Sequence, residues 1–563
     1  MGEEILVISW QHNCYYTKMF SFFKHSPYAP FPTEEAVKSL RGFGTAGEML
    51  SLSFSLSASE GIAELELTGS DLESTEASLP KSCVSLFIVK VWEQAGIGVY
   101  QSTPARVAEL LLKDDRAQLG DSYSRRGQCG HWKHLLRASQ LYRPPDVRLE
   151  GNAHTTLDSN EAKQIWVTIK IPADSVPGHY RGYLEVKSKE PKHANQRLRL
   201  ELEVLPIKLV EPEQDLFIWY KGTLDCNRPQ HYVRPEVFRA QLQDIYSHGF
   251  RSISLNEVKP SLLQQALNIA NSIGFNRHVL LTAPHPESFT QIDFKNLRPV
   301  YYISDELDTR PESFIRDHIE NWNKIKTAGG RTMSSLLRRT FASRFSDPDD
   351  IGFAPDLISY YLPTNLNYFL AHSEFEPLQK DRSYYYWHSH MEKPDVHRVL
   401  AGLYLWKSKA AGIAPYCYQH LPKAPFSPFD DFDEWEPDFH VGSLRRPFKD
   451  HMTTYPARFG SIPTLQWKGM ADGIYDLRYL TTFEAALKRF KDCRPHEGGP
   501  FVEAARLRCE QFLKRISLKD VNINSETISV PYRHIMPEEY SVFREQLARD
   551  IMTIAELTGT MCG

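Results

Sequence analysis

The feature that most constrains the fold is a repeated pattern between residues 216 and 418. Short apolar runs alternate there with amphipathic segments, several of which end at a glycine (Gly249, Gly274, Gly329 and Gly412). Eight such runs occur, at residues 216–220, 252–255, 278–283, 300–304, 332–337, 357–361, 384–388 and 413–418. Buried strands that alternate with helices indicate a parallel sheet, and eight repeats fit a (β/α)8 barrel. A doubly wound open sheet is the alternative, disfavoured because no glycine-rich phosphate loop follows the first run.

The regions on either side of this pattern differ from it. Residues 4–211 contain several runs with strand-like alternation, at 49–56, 62–67, 165–171, 183–186 and 198–204. Short alternating strands with turns between them predict an antiparallel β-sandwich. After residue 455 we expect helices around 476–490 and 537–557 and a weak strand at 527–532. The fold prediction is therefore α/β plus all-β: a sandwich at 1–212, a TIM-like (β/α)8 barrel at 213–455 and a small C-terminal domain at 456–563.

Composition excludes some functions. The 563 residues include 66 Lys+Arg and 70 Asp+Glu, so the net charge of −4 gives no basic field for nucleic acid. No apolar stretch approaches the roughly 20 residues of a membrane span. Residues 1–11 do not resemble a signal peptide, which leaves both a cytoplasmic protein and an exported one without its signal open. The 12% aromatic content and 21 histidines suit a surface that binds sugars.

The metal-ligating residue types form no standard site. The eight cysteines are scattered without a CxxC pair, so we expect buried free thiols rather than a zinc or redox centre. His388 and His390 lie two residues apart, but no third ligand stands out, and hydrogen-bonding roles are preferred. We predict no metal and no cofactor.

Two adjacent carboxylates, Asp305 and Glu306, follow the fourth run. Catalytic residues of such barrels lie where strands end. Neighbouring side chains on a strand point to opposite faces, so both reach one pocket only if the second lies where the strand gives way to a loop. Two carboxylates held close together differ in pKa, which yields an acid and a base. The alternative is a helix cap or a loop ion pair, but Thr309 and Glu312 have the spacing of a capping box for the next helix.

The run at 300–306 (VYYISDE) resembles glycoside hydrolase family 123, the β-N-acetylgalactosaminidases. That family combines an N-terminal β-sandwich with a barrel that bears an Asp-Glu pair. Residues 465–480 (LQWKGMADGIYDLRYL) are similar to the module that commonly follows such barrels, and residues 398–419 to the family's seventh helix and eighth strand.

The resemblance implies an exo-acting, retaining, substrate-assisted hydrolase, in which the sugar's acetamido oxygen attacks the anomeric carbon. Asp305 would orient the acetamido group, and Glu306 would act as acid and then base. Other residues at the strand ends, together with Arg398 at the start of the helix after the seventh strand, are candidates for binding the sugar: Trp219, Asn256, His285, Tyr361, Trp387, His388, Arg398, Tyr418 and Gln419. The implied partner is a glycan with terminal β-GalNAc; GlcNAc preference, aglycone and oligomeric state stay open.

Two other functions remain. One is a glycosidase whose second carboxylate lies on another strand, for which Glu257 is the candidate. The other is a non-catalytic carbohydrate-binding barrel, disfavoured because such a protein has no need of adjacent acids.

Overall fold

The computed structural model describes residues 20–29, 32–95, 104–119, 144–190, 195–229, 231–282, 292–337, 341, 344–345, 351–361, 382–388, 394–420, 429, 452–494, 499–516 and 535–559. The strands in these ranges are β1 (Phe20–Lys24), β2 (Ser39–Thr45), β3 (Met49–Ala58), β4 (Ile62–Gly69), β5 (Leu72–Glu73), β6 (Ser78–Leu79), β7 (Val84–Ala95), β8 (Pro104–Leu112), β9 (Ala153–Leu157), β10 (Ala162–Lys170), β11 (Gly178–Ser188), β12 (Gln196–Leu205), β13 (Asp215–Leu216), β14 (Ile253–Leu255), β15 (His278–Leu281), β16 (Arg298–Ser304), β17 (Arg331–Leu336), β18 (Leu357–Tyr361), β19 (Ser383–Tyr386), β20 (Gly412–Ile413), β21 (Tyr455–Ala457) and β22 (Gly460–Ile462). The helices are α1 (Pro235–Ser247), α2 (Pro260–Ile273), α3 (Glu312–Thr327), α4 (Pro394–Ala401), α5 (Leu403–Ser408), α6 (Leu465–Cys493), α7 (Pro500–Lys514) and α8 (Pro537–Leu557).

The chain divides into two compact units. The first contains residues 1–90, 111–117 and 150–205, and the second contains residues 91–110, 118–149 and 206–563. None of the helices in the described ranges is both long enough and apolar enough to cross a membrane.

The first unit is built on two mainly antiparallel sheets. In one sheet β1, β3, β10 and the first part of β7 lie side by side in that order, and the other sheet has the order β2-β12-β11-β4-β9, with β2 parallel to β12. Alternate residues of both sheets, such as Phe54 and Ile165 in one and Leu67 and Leu200 in the other, belong to one buried apolar cluster. The apolar residues alternate along the sequence because one face of each sheet packs into the core that the two sheets share.

The second unit contains an eight-stranded parallel sheet in the order β13-β20-β19-β18-β17-β16-β15-β14. This order follows the chain around a ring, so the sheet is a nearly closed barrel and not a doubly wound sheet. The remaining gap between the first and second strands is bridged by Ser254, whose hydroxyl accepts from Tyr220 N at 2.7 Å and donates to Ile218 O at 3.1 Å.

Side-chain alternation separates the barrel interior from the helix layer. Phe217, Val300 and Tyr384 lie in one buried cluster contributed by different barrel strands. Ile303 instead packs in a second cluster with Ile315 on α3. Even-numbered residues of β16 up to Tyr302 therefore face the barrel interior, and the odd-numbered Ile303 faces the helix layer.

Several sequence-based boundaries need correction. The single helix expected after the seventh barrel strand is two helices, α4 and α5, separated at Gly402, where an added Cβ would contact the backbone of Gly473 on α6. The helix expected around 476–490 begins earlier, at Leu465, and its N-cap Thr464 accepts from Trp467 N. The expected strand at 527–532 lies outside the described residues. The three-domain division stays a prediction.

The capping box expected at Thr309 is absent. Helix α3 begins at Glu312 with Pro311 as N-cap and no side-chain cap, and the Thr309 hydroxyl donates to Glu306 O at 2.8 Å instead. Among the described cysteines, Cys83, Cys417 and Cys509 are buried as expected, whereas Cys226 and Cys493 are exposed. All five are free thiols.

Candidate active site

The Asp305–Glu306 pair lies where β16 ends. The strand stops at Ser304 after a shift in its pairing with β17 between Tyr302 and Ser304. Glu306 then takes left-handed backbone angles, φ 46° and ψ 57°, which a non-glycine residue adopts only at an energetic cost. The shift and the turn remove the alternation that would separate two neighbouring side chains, as the sequence argument required.

Ser335 on β17 joins the two acidic residues. Its hydroxyl accepts the backbone N–H of Glu306 at 2.7 Å and donates to Asp305 Oδ1 at 3.0 Å. The Tyr302 hydroxyl, from the inward face of β16, also donates to Asp305 Oδ1 at 2.7 Å and lies 2.7 Å from Ser335 Oγ. These contacts fix the Asp305 carboxylate and the turn that carries Glu306.

The two carboxylates have different surroundings. Asp305 is exposed, whereas Glu306 is half-buried. Burial raises the pKa of Glu306, and the neighbouring Asp305 and Asp308 raise it further, against the lowering effect of the Tyr386 hydroxyl. That hydroxyl donates to Glu306 Oε1 at 3.4 Å. The pair thus comprises one carboxyl, Glu306, whose pKa is raised by burial and one, Asp305, that accepts hydrogen bonds from two hydroxyl groups.

Aromatic rings surround the pair. The Trp219 and Tyr302 ring centroids are 4.6 Å apart at a steep angle. Tyr361 lies 5.1 Å from Tyr386 and 5.0 Å from His388, centroid to centroid. The fold therefore groups three of the sugar-binding candidates, Trp219, Tyr361 and His388, with residues that contact or perturb the acidic pair.

His388 is a neutral imidazole at this site. Burial lowers its pKa to about 4, although the negative charge of Asp305 acts in the opposite direction. A neutral imidazole carries one donor and one acceptor nitrogen, which suits hydrogen bonding to a hydroxyl. Its predicted partner His390 lies outside the described residues.

Three other candidates are engaged in contacts away from the acidic pair. Trp387 is fully buried and donates through Nε1 to His397 Nδ1 at 3.1 Å, because 385 and 387 point opposite to 384, 386 and 388. The Tyr418 hydroxyl donates to Asp244 Oδ2 at 2.9 Å. Gln419 donates to Ser461 Oγ at 2.9 Å. The structure does not bring these three to the acidic pair.

Arg398 also lies elsewhere. Its guanidinium is 3% exposed and binds Asp476 on α6 through two bonds of 2.6 and 2.9 Å. Arg544 on α8 donates to the same carboxylate at 2.7 Å. Burial opposes ionisation of Asp476, but the two guanidinium groups outweigh it and lower its pKa. Arg398 is thus part of a buried ion network between helices.

For the remaining candidates that the structure describes, Asn256 and Glu257, it shows no contact with the acidic pair. Asn256 follows β14 and accepts from Thr282 Oγ1 at 2.8 Å, and His285 lies outside the described residues. Glu257, the candidate second carboxylate, is 2% exposed and accepts from Leu224 N at 2.6 Å and from Thr223 Oγ1 at 2.8 Å. Burial raises its pKa. Glu257 therefore holds the loop after β13.

Sequence reasoning missed four residues of the site: Tyr302, Ser335, Tyr386 and Tyr416. Strand alternation was a usable signal for Tyr386, because it has the same parity as His388. Tyr416, whose ring centroid lies 6.0 Å from that of His388, has the parity of Ala414, which lies in the interior cluster. Ser335 had no comparable signal, because its contacts depend on the pairing shift in β16.

Within the described ranges, no group of three or more His, Cys, Asp or Glu residues is arranged to hold a metal ion.

Comparison with known proteins gives a family for part of the chain. Residues 19–188 match the model of the glycoside hydrolase 123 N-terminal domain. No curated protein matches the sequence. A solved family 123 glycoside hydrolase from Clostridium perfringens, analysed for glycolipid glycan hydrolysis, aligns with a TM-score of 0.57 at 12% identity, covering 96% of this chain and 98% of that one.

More distant structures include two β-glucuronidases. The Parabacteroides merdae enzyme aligns with a TM-score of 0.31 at 11% identity, covering 76% of this chain and 51% of that one. The Ruminococcus gnavus enzyme aligns with a TM-score of 0.33 at 6% identity, covering 78% and 68%. Neither score is high enough to carry an argument. Residues 19–188 therefore resemble the glycoside hydrolase 123 N-terminal domain, and the chain shares the fold of the Clostridium perfringens family 123 enzyme.

Proposed function

We propose that this chain is a glycoside hydrolase that removes terminal β-linked N-acetylgalactosamine, with retention, by a substrate-assisted mechanism. The observation that carries the proposal is the Asp305–Glu306 pair at the end of β16, with one carboxyl biased toward its protonated form. The family 123 N-terminal match and the shared fold support glycosidase activity.

Glu306 has the properties of a general acid that later becomes a base. Its raised pKa keeps a larger protonated fraction near neutral pH than an ordinary glutamate has. In the first step its proton passes to the glycosidic oxygen as the bond from the anomeric carbon to that oxygen breaks. In the second step the carboxylate takes a proton from the water that attacks the anomeric carbon, as the bond from that carbon to the acetamido oxygen breaks.

Asp305 acts on the acetamido group in this proposal. The acetamido oxygen attacks the anomeric carbon and forms an oxazolinium ion, whose positive charge the carboxylate stabilises while it accepts from the N–H. Hydrogen bonds from Tyr302 and Ser335 both reach Oδ1, which leaves Oδ2 for this contact.

The adjacency of the two residues favours this mechanism over a two-carboxylate scheme. A retaining enzyme of that kind places its carboxyl groups about 5–5.5 Å apart on opposite sides of the scissile bond. Glu257 is a poor second carboxylate, because both its oxygens already accept hydrogen bonds from the loop after β13.

The aromatic residues near the pair fit a sugar substrate. Exposed faces of Trp and Tyr rings pack against the apolar face of a pyranose, and the neutral His388 can bond a hydroxyl. Trp219 is half-buried, and this partial exposure supports a role in stacking.

The test compares aryl β-GalNAc, β-GlcNAc and β-Gal substrates with wild type, Asp305→Asn and Glu306→Gln. Glu312→Gln on α3, an exposed carboxylate paired with Arg316, is the matched control. We expect both site variants to lose at least about a hundredfold in kcat/KM, in keeping with acid–base catalysis. For Glu306→Gln, the rate of the first step should recover partly with a more acidic phenol as leaving group.

The substrates separate the alternatives. Activity confined to acetamido sugars supports the proposal, whereas β-Gal hydrolysed as well as β-GalNAc contradicts it, because galactose has no acetamido group. Failure of a GalNAc-thiazoline to inhibit would also contradict it. Full activity in both site variants would remove the pair from catalysis.

A further inference from the structure

Lys221, just after the first barrel strand, lies on the same face of the sheet as the candidate site. The chain after β13 stays paired with the chain after β20, through Phe217 N to Ile413 O at 2.9 Å and Trp219 N to Pro415 O at 3.1 Å. Phe217 lies in the interior cluster, Trp219 packs against Tyr302, and Lys221 is the next residue of the same parity. Its Nζ lies 5.1 Å from the centroid of the Tyr416 ring. Lys221 therefore forms the outermost layer above Trp219.

The surroundings of Lys221 are basic. Arg228 and His231 follow on the same loop, and the His231 imidazole lies close enough to both Lys221 and Arg228 to sense their charges. Burial lowers the pKa of His231 to about 4, and the positive charges of Lys221 and Arg228 lower it as well. The His231 ring lies 6.2 Å from that of His420, whose Nδ1 is 3.2 Å from the Tyr416 hydroxyl.

No carboxylate within the ranges described above forms an ion pair with Lys221 or Arg228. Arg228 donates to the backbone oxygen of Asn256. The one loop carboxylate nearby, Asp225, is taken by Lys259 at 2.8 Å. Glu257 accepts from Leu224 N and Thr223 Oγ1, as noted above. Lys221 is half-buried, so its charge is partly removed from water, and no described carboxylate pairs with it.

The strand order places this charge across the barrel from the acidic pair. β20 and β16 are separated by three strands on each side of the ring, and β13 is next to β20. A sugar ring whose anomeric carbon lies at the acidic pair would extend its opposite edge toward β20 and β13. The edge remote from the scissile bond would then meet Lys221.

We propose that Lys221, with Arg228 on the same loop, forms a subsite for an anionic substituent, a sulfate ester or a carboxylate, on the hexosamine edge remote from the scissile bond. This proposal rests on the proposed function and specifies its substrate class. The anion would supply the counter-charge that no described residue provides to Lys221 by an ion pair, while Tyr416 holds the ammonium in place by a cation–π contact.

The experiment measures kcat/KM for 4-nitrophenyl β-GalNAc, its 4-sulfate, its 6-sulfate and its 6-carboxylate. The variants are Lys221→Met, Lys221→Arg and, as a matched control, Lys324→Met on the outer face of α3, where Lys324 pairs with Glu320 at 3.1 Å. We expect wild type to prefer one anionic substrate over the neutral one. The anionic-to-neutral ratio should fall about tenfold or more in Lys221→Met, the size of one lost charge-assisted contact. Lys221→Arg should retain part of the ratio and Lys324→Met all of it.

A second measurement separates failure of this inference from failure of the proposed function. Calorimetry compares the binding of GalNAc and of GalNAc 4- and 6-sulfate to Glu306→Gln, with and without Lys221→Met. Tighter binding of a sulfated sugar that is lost with Lys221 supports the inference even if no substrate is hydrolysed. Equal binding of all the sugars, or a kcat/KM ratio that Lys221→Met leaves unchanged, overturns it.

Discussion

Ser335 Oγ accepts the backbone N–H of Glu306 at 2.7 Å, so a side chain on β17 holds the turn that carries the acid of the neighbouring strand. The same oxygen donates to Asp305. One hydroxyl therefore sets the relative position of the two carboxyl groups.

Ser335→Ala should lower kcat/KM for aryl β-GalNAc by one to two orders of magnitude, because hydrogen bonds to charged groups contribute about 1.5–3 kcal/mol. Steady-state kinetics checks this, with the thermal midpoint measured alongside. Ser359→Ala, a buried serine on the adjacent strand β18, is the control and should keep its activity. A folded Ser335→Ala enzyme with wild-type kcat/KM would show that the hydroxyl does not position the pair.

The pH dependence should report the raised pKa of Glu306. Because a general acid works in its protonated form, kcat/KM should fall on the alkaline side with a midpoint above the ordinary glutamate value. The Tyr386 hydroxyl lowers this pKa by bonding the ionised carboxylate, so Tyr386→Phe should move the alkaline limb to higher pH. Tyr385→Phe is the control, since that hydroxyl donates to Leu400 O on the other face of the strand. A shift to lower pH in Tyr386→Phe would contradict the assignment.

Some residues of this site could be predicted from the sequence because strand alternation alone determines where their side chains point. The acidic pair followed from strand-end logic, because the requirement for a loop at Glu306 comes from alternation alone. The same rule, applied consistently to β19, would have selected Tyr386 and His388 and left out Trp387. The barrel could be predicted from the sequence because buried parallel strands form continuous apolar runs.

Arg398 shows what the sequence could not reveal. Its position at the start of a barrel helix fitted a substrate contact, but its partner Asp476 is 78 residues away in the chain. Only the packing of α6 against α4 brings them together. The pairing shift at Ser304, on which Ser335 depends, is likewise a property of two paired strands rather than of either segment.

Arg398→Met should therefore destabilise the protein rather than weaken substrate binding. Removing one partner of a buried ion pair costs about 3–5 kcal/mol. Because the pKa of Asp476 is lowered in the folded state, the stability that its charge provides is present above the ordinary aspartate pKa and is lost as the pH falls below it. Urea unfolding at several pH values measures both effects. An unchanged unfolding midpoint with a raised KM would instead indicate a substrate contact.

Gly473→Ala should also destabilise the second unit. Alanine in a helix interior is normally favoured over glycine by about 0.8–1.0 kcal/mol. Here an added Cβ would meet the backbone oxygen of Arg398, and one at Gly469 would meet that of Pro394. Overpacking of this kind costs about 1–3 kcal/mol, so the sign is reversed. Thermal unfolding of Gly473→Ala and Gly469→Ala checks the prediction, and a raised midpoint in either variant would exclude the close contact between α4 and α6.

The central claim is that the acetamido oxygen of the substrate is the nucleophile, assisted by Asp305. The most direct measurement is kcat/KM for a series of aryl β-galactosaminides whose N-acetyl group carries zero, one, two or three fluorine atoms. Fluorine withdraws electrons from the attacking oxygen, so the account predicts a steep decline along the series in wild type. Equal kcat/KM across the series would contradict it and would require a nucleophile supplied by the protein.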